Sequence, residues 1–243
     1  MKKKTQKQAA GLASCENGSP LLMLPTATDS LPDGHERGEY FALDFGGGPL
    51  LRLLYVFFSE DKRHETSALD LEEVAVPPHL KTAHADELFD FLAEKALDFV
   101  QRVGWDSSTK GPPVFGFCFS FPIDQSSSSD PAKGTLLRWA KGYSCEGGVG
   151  CEPSACLEAA ARRVAAKKEK EEEEGEAKGE EGGAKGEINN ASGGIVDPPP
   201  PPLVVAALAN DTVATLAAAR YADGGDAAMS LVLHRGTNAA YVE

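Results

Sequence analysis

One carboxylate stands where a strand is expected to give way to a helix. Residues 203–221 read LVVAALANDTVATLAAARY, an apolar β-branched run followed by an Ala-rich helical pattern. Asp211 would therefore lie at the carboxyl end of a strand and the amino end of a helix, where open α/β sheets collect ligands. Two interpretations are open: Asp211 is a functional carboxylate, or it is the N-cap of the helix, a position that favours aspartate.

A glycine-rich turn is the second chemical candidate. The segment LDFGGGPLLR joins two apolar runs, 40–45 and 51–58, which predict a β-hairpin. Its glycines would let a phosphate approach the backbone N–H groups, and Asp44 could hold Mg²⁺ through water. A plain glycine-rich hairpin is the alternative interpretation.

A second glycine turn, HRGTN at 234–238, follows the apolar strand MSLVL. Neither turn has the GxxxxGK[ST] or GxGxxG pattern, so the sequence supports neither a P-loop nor a dinucleotide-binding fold. Two hairpins of this kind on either side of Asp211 suggest phosphate chemistry, although only weakly.

The elements that must position these groups alternate between strands and helices. Helical spacing of apolar residues predicts a helix over 85–103, with acidic residues favourable at its start. VFGFCFSF at 114–121 predicts a strand that Pro122 stops, and a further helix is expected over 154–174. This alternation is typical of an α/β domain.

A low-complexity tract divides the chain. Residues 167–187 hold nine Glu against five Lys, and five prolines occupy 198–202. Such a composition buries too little apolar surface to order itself, so residues 167–202 are predicted to be a disordered acidic and Pro-rich insertion. The folded domain is then expected over 39–166 and 203–243, after an N-terminal segment at 1–38.

Composition excludes several classes of function. The chain has 243 residues and a formal net charge of −13, which argues against binding nucleic acid or an anionic membrane surface. No stretch approaches the ~20 apolar residues of a membrane span. The five cysteines form no CxxC pair, so we expect reduced thiols rather than zinc ligands, in a cytoplasmic protein.

Several segments, in order, resemble the hexokinase family of plants and other eukaryotes. They are LPDGHERGEYFALDFGG, EEVAVPPHL, DELFDFLAE, GFCFSFP, LLRWAKGY, ANDTVATLAAARY and GTNAAYVE. The resemblance covers roughly residues 10–166 and 203–243. It implies an actin-like ATPase (ribonuclease H-like) small domain, a mixed sheet with flanking helices. It also implies Mg²⁺-dependent transfer of the ATP γ-phosphoryl group to the 6-hydroxyl of a hexose, glucose first of all, as in glycolysis.

The resemblance assigns roles to residues in separate segments. Asp211 corresponds to the catalytic base, the group that would take the proton of the attacking hydroxyl. The remaining sugar contacts implied are Ser120, Phe121, Lys141, Asn210 and Asn238, and the implied ATP-phosphate contacts are Asp44, Gly46, Gly47, Gly48, Arg52, Gly236 and Thr237, with Asp44 also on Mg²⁺.

The sequence also departs from the family pattern. The first turn reads GGGPLLR where the family has GGTNFR, so Pro49 removes a backbone donor. His234 and Arg235 stand where the family has Gly and Thr, and Ala140 replaces a sugar-contacting Thr. The family continues past NAAYVE into a larger domain. A non-catalytic sugar-binding or regulatory relative, or an incomplete gene product, is therefore the alternative to an enzyme.

Overall fold

The computed structural model describes residues 24–28, 31–59, 66–179, 201–233 and 237–242. The strands are β1 (Gly38–Phe45), β2 (Leu50–Phe58), β3 (Thr66–Ala75), β4 (Val114–Phe119), β5 (Ile123–Asp124), β6 (Thr135–Leu136), β7 (Val204–Ala209), β8 (Met229–Leu233) and β9 (Thr237–Tyr241). The helices are a 3-10 helix (Pro78–Lys81), α1 (Ala85–Arg102), α2 (Ser107–Lys110), α3 (Pro153–Gly179) and α4 (Asp211–Asp223).

A mixed five-stranded sheet, in the order β3-β2-β1-β4-β7, organises the domain. The strands β1 and β2 form the predicted antiparallel hairpin, while β4 runs parallel to both β1 and β7. The carboxyl ends of β1, β4 and β7 therefore meet at one edge of the sheet. Across that edge Asp44, Cys118 and Ala209 stand side by side.

One face of the sheet carries the core. Side chains that alternate along β1, β2 and β4 are almost fully buried there: Phe41, Leu43, Phe45, Leu51, Leu53, Phe115, Phe117 and Phe119. The helices α1 and α3 contact each other, and their apolar residues join this cluster. Asp44 and Cys118 alternate with the core residues, so they face the opposite side of the sheet.

Helix α3 continues beyond its predicted end and into the predicted insertion. It runs to Gly179, so residues 167–179 are helical in the structure, while the disorder of the insertion in solution stays a prediction. The physical reason for the helix is that Lys and Glu are good helix formers, and Lys167 lies 3.9 Å from Glu171 one turn later. Lys168 also pairs with Asp98 of α1 at 2.5 Å. Residues 180–200 of the predicted insertion lie outside the described residues.

The β8–β9 hairpin forms a separate two-stranded sheet, and α4 packs against it. Its tie to the helix is polar: the Ser230 hydroxyl, which is buried, donates to the Thr212 carbonyl at 2.6 Å. Asn238 of β9 donates to Asn210 Oδ1 at 2.7 Å, so the described start of β9 lies at the amino end of α4. Among the described residues, no helix is long and apolar enough to span a membrane.

Candidate active site

The sequence left two roles open for Asp211, a functional carboxylate or the N-cap of the helix, and the junction between β7 and α4 bears on both. Asn210 is the N-cap of α4, and its Oδ1 accepts from the Thr212 N–H at 3.2 Å. Asp211 is the first helical residue, and its Oδ1 accepts from the same N–H at 2.8 Å. The interpretation of Asp211 as the N-cap is therefore wrong. Its Oδ2 lies 3.7 Å from Lys141 Nζ.

Lys141 lies between the first glycine turn and Asp211. Its Nζ donates to the Gly46 carbonyl at 2.8 Å and lies 3.7 Å from Asp211 Oδ2. The backbone of Lys141 is left-handed, with φ at 57°, a conformation that places its side chain across the turn. The ammonium group thus bridges the carboxyl end of β1 and the amino end of α4.

The first glycine turn has the geometry expected of an anion-binding loop. The backbone N–H groups of Gly46, Gly47 and Gly48 have no partner among the described residues. Gly47 has φ at 70°, and a Cβ placed there would lie 3.0 Å from both Lys141 Cδ and Phe121 Cζ. A Cβ at Gly48 would meet nothing within 4 Å. The turn therefore packs against the protein at Gly47 and is open at Gly48, so its residues fit a phosphate group.

Asp44 and Arg52 face each other across the β1–β2 hairpin. Arg52 Nη1 lies 3.5 Å from Asp44 Oδ2, and Arg52 Nε donates to Glu73 Oε1 of β3 at 2.8 Å. The hydrogen bond to Glu73 raises the pKa of Arg52. A phosphate at Arg52 would compete with both carboxylates. Within the described residues, no group of three His, Cys, Asp or Glu is arranged to hold a metal ion, and water-mediated contact of Asp44 with Mg²⁺ stays a prediction.

The end of β4 contributes an unpaired hydroxyl. Ser120 is 4% exposed, and no described residue hydrogen-bonds its Oγ. A Cβ on Gly46 would lie 4.0 Å from this oxygen and 3.9 Å from Asp44 Oδ1, so both groups converge above the turn. Buried hydroxyls without a partner are uncommon, and a sugar hydroxyl would satisfy this one.

The Phe121 ring packs in an aromatic cluster beside the first glycine turn. Its ring is 1% exposed and lies 5.0 Å from the Trp139 ring, centroid to centroid. The Lys141 ammonium lies 6.0 Å from the Phe121 ring centroid. The ring therefore packs beside Lys141 and Gly47, while contact of Phe121 with a sugar stays a prediction.

The second turn is described only in part. Gly236 lies outside the described residues, and Thr237 pairs with Leu233 at the start of β9. Asn238 Nδ2 donates to Asn210 Oδ1 at 2.7 Å. The structure thus brings Asn238 to the junction with α4, while a direct contact with sugar stays a prediction.

Two residues that the sequence analysis did not single out belong to the site. Glu73 holds Arg52, and Cys118 lies between Asp44 and Ala209 in the sheet. Burial, followed by the nearby Asp44 carboxylate, raises the pKa of the Cys118 thiol, so it stays protonated. Alternation along VFGFCFSF could have placed Cys118 on the polar face with Asp44. Glu73 needed the β2–β3 register, for which the sequence has no local signal.

Known proteins are similar to this chain in sequence and in fold. The family model described as hexokinase matches residues 1–221. The chain belongs to the hexokinase family. Hexokinase-1 of Arabidopsis thaliana is 36% identical over 241 residues, which are 98% of this chain and 40% of that protein. Hexokinase-2 of Oryza sativa subsp. japonica is also 36% identical, over 96% of this chain and 39% of its own length. The chain thus spans about two fifths of these relatives.

Solved hexokinase structures share the fold. A hexokinase from Schistosoma mansoni complexed with glucose superposes with a TM-score of 0.71 at 25% identity, over 98% of this chain and 44% of that one. A second hexokinase structure has a TM-score of 0.65 at 22% identity. The predicted actin-like ATPase fold, with its mixed sheet and flanking helices, is confirmed.

Proposed function

We propose that this chain forms one wall of a hexose-binding cleft for hexokinase-type phosphoryl transfer, with Asp211 as the catalytic base. The observation that carries the proposal is the Oδ2 of Asp211, which lies 3.7 Å from Lys141 Nζ, while Asn210 is the N-cap of the helix and Asp211 Oδ1 accepts from the Thr212 N–H. One oxygen of the carboxylate thus supports the start of the helix, and the other is available for chemistry.

The hexose is proposed to bind where polar groups of three segments converge. Lys141 and Asn210 offer N–H donors, Asp211 offers an acceptor, and Ser120 has a hydroxyl without a partner. Sugar hydroxyls both donate and accept, so such a mixed set suits them. Asp211 would take the proton of the attacking 6-hydroxyl, and glucose, the ligand named for the Schistosoma structure, is the first hexose to test.

ATP and Mg²⁺ are proposed to meet the β1–β2 turn. The unpaired N–H groups of Gly46, Gly47 and Gly48 would hold phosphate oxygens, Arg52 and Thr237 are the further phosphate contacts that the resemblance implies, and Asp44 would reach the metal through water. When bound, ATP supplies the phosphoryl group and Mg²⁺ offsets its charge.

Two features favour the non-catalytic alternative, a sugar-binding or regulatory relative. Pro49 has no N–H to offer, and Arg52 is already tied to Asp44 and Glu73. Both features weaken the phosphate side of the site while leaving the sugar side intact. We therefore expect the purified chain to bind glucose without measurable ATP-dependent phosphorylation.

Sugar binding is tested by titrating the ¹⁵N-labelled chain with glucose and following its amide resonances. We expect shifts at residues 46–48 and 210–212, and smaller shifts with xylose, which lacks the 6-hydroxymethyl group. Asp226→Asn serves as the matched control, because Asp226 is exposed and lies beyond the other end of α4. The proposal fails if millimolar glucose moves none of these resonances.

Catalysis is tested in a chimera that joins this chain to the part of Arabidopsis hexokinase-1 that it does not span. One version keeps GGGPLLR and the other carries GGTNFR. Turnover by the first favours an enzyme, and turnover by the second alone favours the non-catalytic alternative. In an active chimera Asp211→Asn should lower the rate ~10²–10⁴-fold, since that is the usual contribution of a general base. An unchanged rate contradicts the assignment of Asp211.

A further inference from the structure

We propose that Cys151 and Cys156 form a reversible redox pair, in which a hydroperoxide closes a disulfide bond across the start of helix α3. Both cysteines are free and half-buried in the structure. The proposal uses no residue of the proposed sugar or phosphate site, so it does not depend on the proposed function.

The start of helix α3 brings the two side chains together. Pro153 is the first residue of the helix, and the Cys156 N–H donates to the Glu152 carbonyl at 3.0 Å. Glu152 is therefore the N-cap, with Cys151 one position before it and Cys156 at the fourth helical position. Side chains at these two positions often pack on each other, because helical side chains point toward the amino end of the helix. Here both are cysteines.

The two thiols also interact with each other. A hydrogen bond between them is the main cause of a raised pKa at Cys151 and a lowered pKa at Cys156, so Cys151 is the donor. Arg163, two turns along α3, acts in the same direction at Cys156. Burial and the carboxylates of Asp86 and Glu152 oppose it. Cys156 is thus the nucleophile of the pair, and Cys151 is the thiol that would resolve its oxidised form.

The backbone holds Cys151 on both sides. Its N–H donates to the Gly148 carbonyl at 3.1 Å, and its carbonyl accepts from the Leu136 N–H of β6 at 2.9 Å. Both cysteines also pack against the edge of the hydrophobic core. A disulfide between them would therefore tie the segment that pairs with β6 to the first turn of α3.

Closure needs two steps, with the hydroperoxide as oxidant. The Cys156 thiolate attacks one peroxide oxygen, the O–O bond breaks, and a sulfenic acid forms while the second oxygen leaves and takes up a proton. The Cys151 thiol then attacks the Cys156 sulfur, so that the S–S bond forms, the S–O bond breaks, and water leaves with the Cys151 proton. Two thiols lose two hydrogen atoms, and hydrogen peroxide becomes two molecules of water. A dithiol reductant would reopen the bond by exchange.

Two other cysteines of the described part of the chain serve as internal controls. Burial raises the pKa of the Cys118 thiol and of the Cys145 thiol, and Cys145 Sγ donates to the Leu80 carbonyl at 3.2 Å. Both thiols therefore stay protonated near neutral pH, and they should react slowly with peroxide.

Peroxide treatment of the reduced wild-type chain at pH 7 tests the proposal. We expect the loss of two of the five thiols, a monomer lighter by two hydrogen atoms, and full recovery with dithiothreitol. Cleavage after glutamate leaves Cys151 and Cys156 as the sole cysteines of fragment 147–158, because Pro153 protects the bond after Glu152. This fragment should carry the mass loss. An unchanged fragment would overturn the proposal, and so would a bond to Cys145 or between two chains.

Substitutions at the two positions test their separate roles. In Cys151→Ser peroxide should leave a sulfenic acid on Cys156 that dimedone traps, whereas in Cys156→Ser the remaining Cys151 should stay a thiol. The reverse pattern would refute the assignment of the nucleophile.

A comparison of two variants at one position tests the hydrogen bond. Serine can still donate to Cys156 and alanine cannot, so iodoacetamide at pH 7 should modify Cys156 about 3- to 10-fold more slowly in Cys151→Ala than in Cys151→Ser, the usual range for one hydrogen bond. Equal rates would contradict the contact between the thiols. The wild-type measurement needs no substitution, so it decides the proposal even if a variant fails to fold.

Discussion

Replacing Gly47 with alanine should destabilise the domain, while the same change at Gly48 should not. Gly47 has φ at 70°, and an added Cβ would lie 3.0 Å from Phe121 Cζ and from Lys141 Cδ. Gly48 has ordinary backbone geometry, and its Cβ would have open space within 4 Å. The two glycines are adjacent, so they form a matched pair.

The magnitude follows from two contributions. A left-handed backbone costs an alanine roughly 1–2 kcal/mol. Crowding adds about 1 kcal/mol, since the Lys141 stem can move but the Phe121 ring is buried and packed on Trp139. We therefore expect Gly47→Ala to lose about 2–3 kcal/mol of unfolding free energy, and Gly48→Ala to change it by less than about 0.5 kcal/mol.

Urea denaturation followed by circular dichroism measures both values. With an m-value near 3 kcal/mol per M, Gly47→Ala should lower the midpoint by about 0.7–1 M with m unchanged. Equal midpoints for the two variants would refute the packing argument, and so would a loss at Gly48 as large as at Gly47.

Further outcomes are expected for Tyr143, for the start of α4 and for helix α3. Tyr143→Phe should be neutral or stabilising by up to about 1 kcal/mol at pH 7, because the buried hydroxyl has no partner among the described residues. Burial raises the pKa of Tyr143 to about 12 from an ordinary 10, so this tyrosine loses its proton at lower pH in the unfolded chain than in the folded one. The free energy of unfolding should therefore fall between pH 10 and 12. In Tyr143→Phe this fall, measured by melts at several pH values, should be smaller by up to about 2–3 kcal/mol. Asn210→Ala should cost about 1 kcal/mol through the lost cap, whereas Asp211→Asn should leave the melting temperature nearly unchanged. Amide exchange should be slower over 153–161 than over 162–171, since the buried side chains of 153–171, the part of α3 whose burial the structure describes, all lie at 153–161; equal rates would contradict this.

Much of the fold was predictable because its signals are local. A glycine turn between two apolar runs predicts the β1–β2 hairpin, and the helical spacing of apolar residues with acidic residues at the start predicts α1. The strand–helix junction at 203–221 was predicted for the same reason, and the structure has β7 and α4 there. Each of these signals spans fewer than about twenty residues.

What the sequence could not settle depends on competition between neighbours and on distant pairing. Asn210 and Asp211 are both good N-caps, and only the point at which β7 ends decides which residue takes that position. The end of α3 was placed too early, because alternating Lys and Glu suit a solvated helix as well as a disordered tract. The packing of the Phe121 ring against Trp139 and Tyr143 could not be predicted either, because it depends on residues that are distant in the sequence.

The aromatic cluster beneath Lys141 gives the protein a built-in optical reporter. The chain has two tryptophans, and Trp139 lies 5.0 Å from the Phe121 ring that supports Gly47 and Lys141. Its indole N–H is anchored to the Cys145 carbonyl at 2.8 Å, so its emission should respond to the polarity around the turn rather than to its own rotation. Trp105 packs on Phe41 in another part of the sheet, and Trp105→Phe would leave a single fluorophore at the cleft. Ligand arrival at this site could then be followed by stopped-flow spectroscopy without attaching a dye.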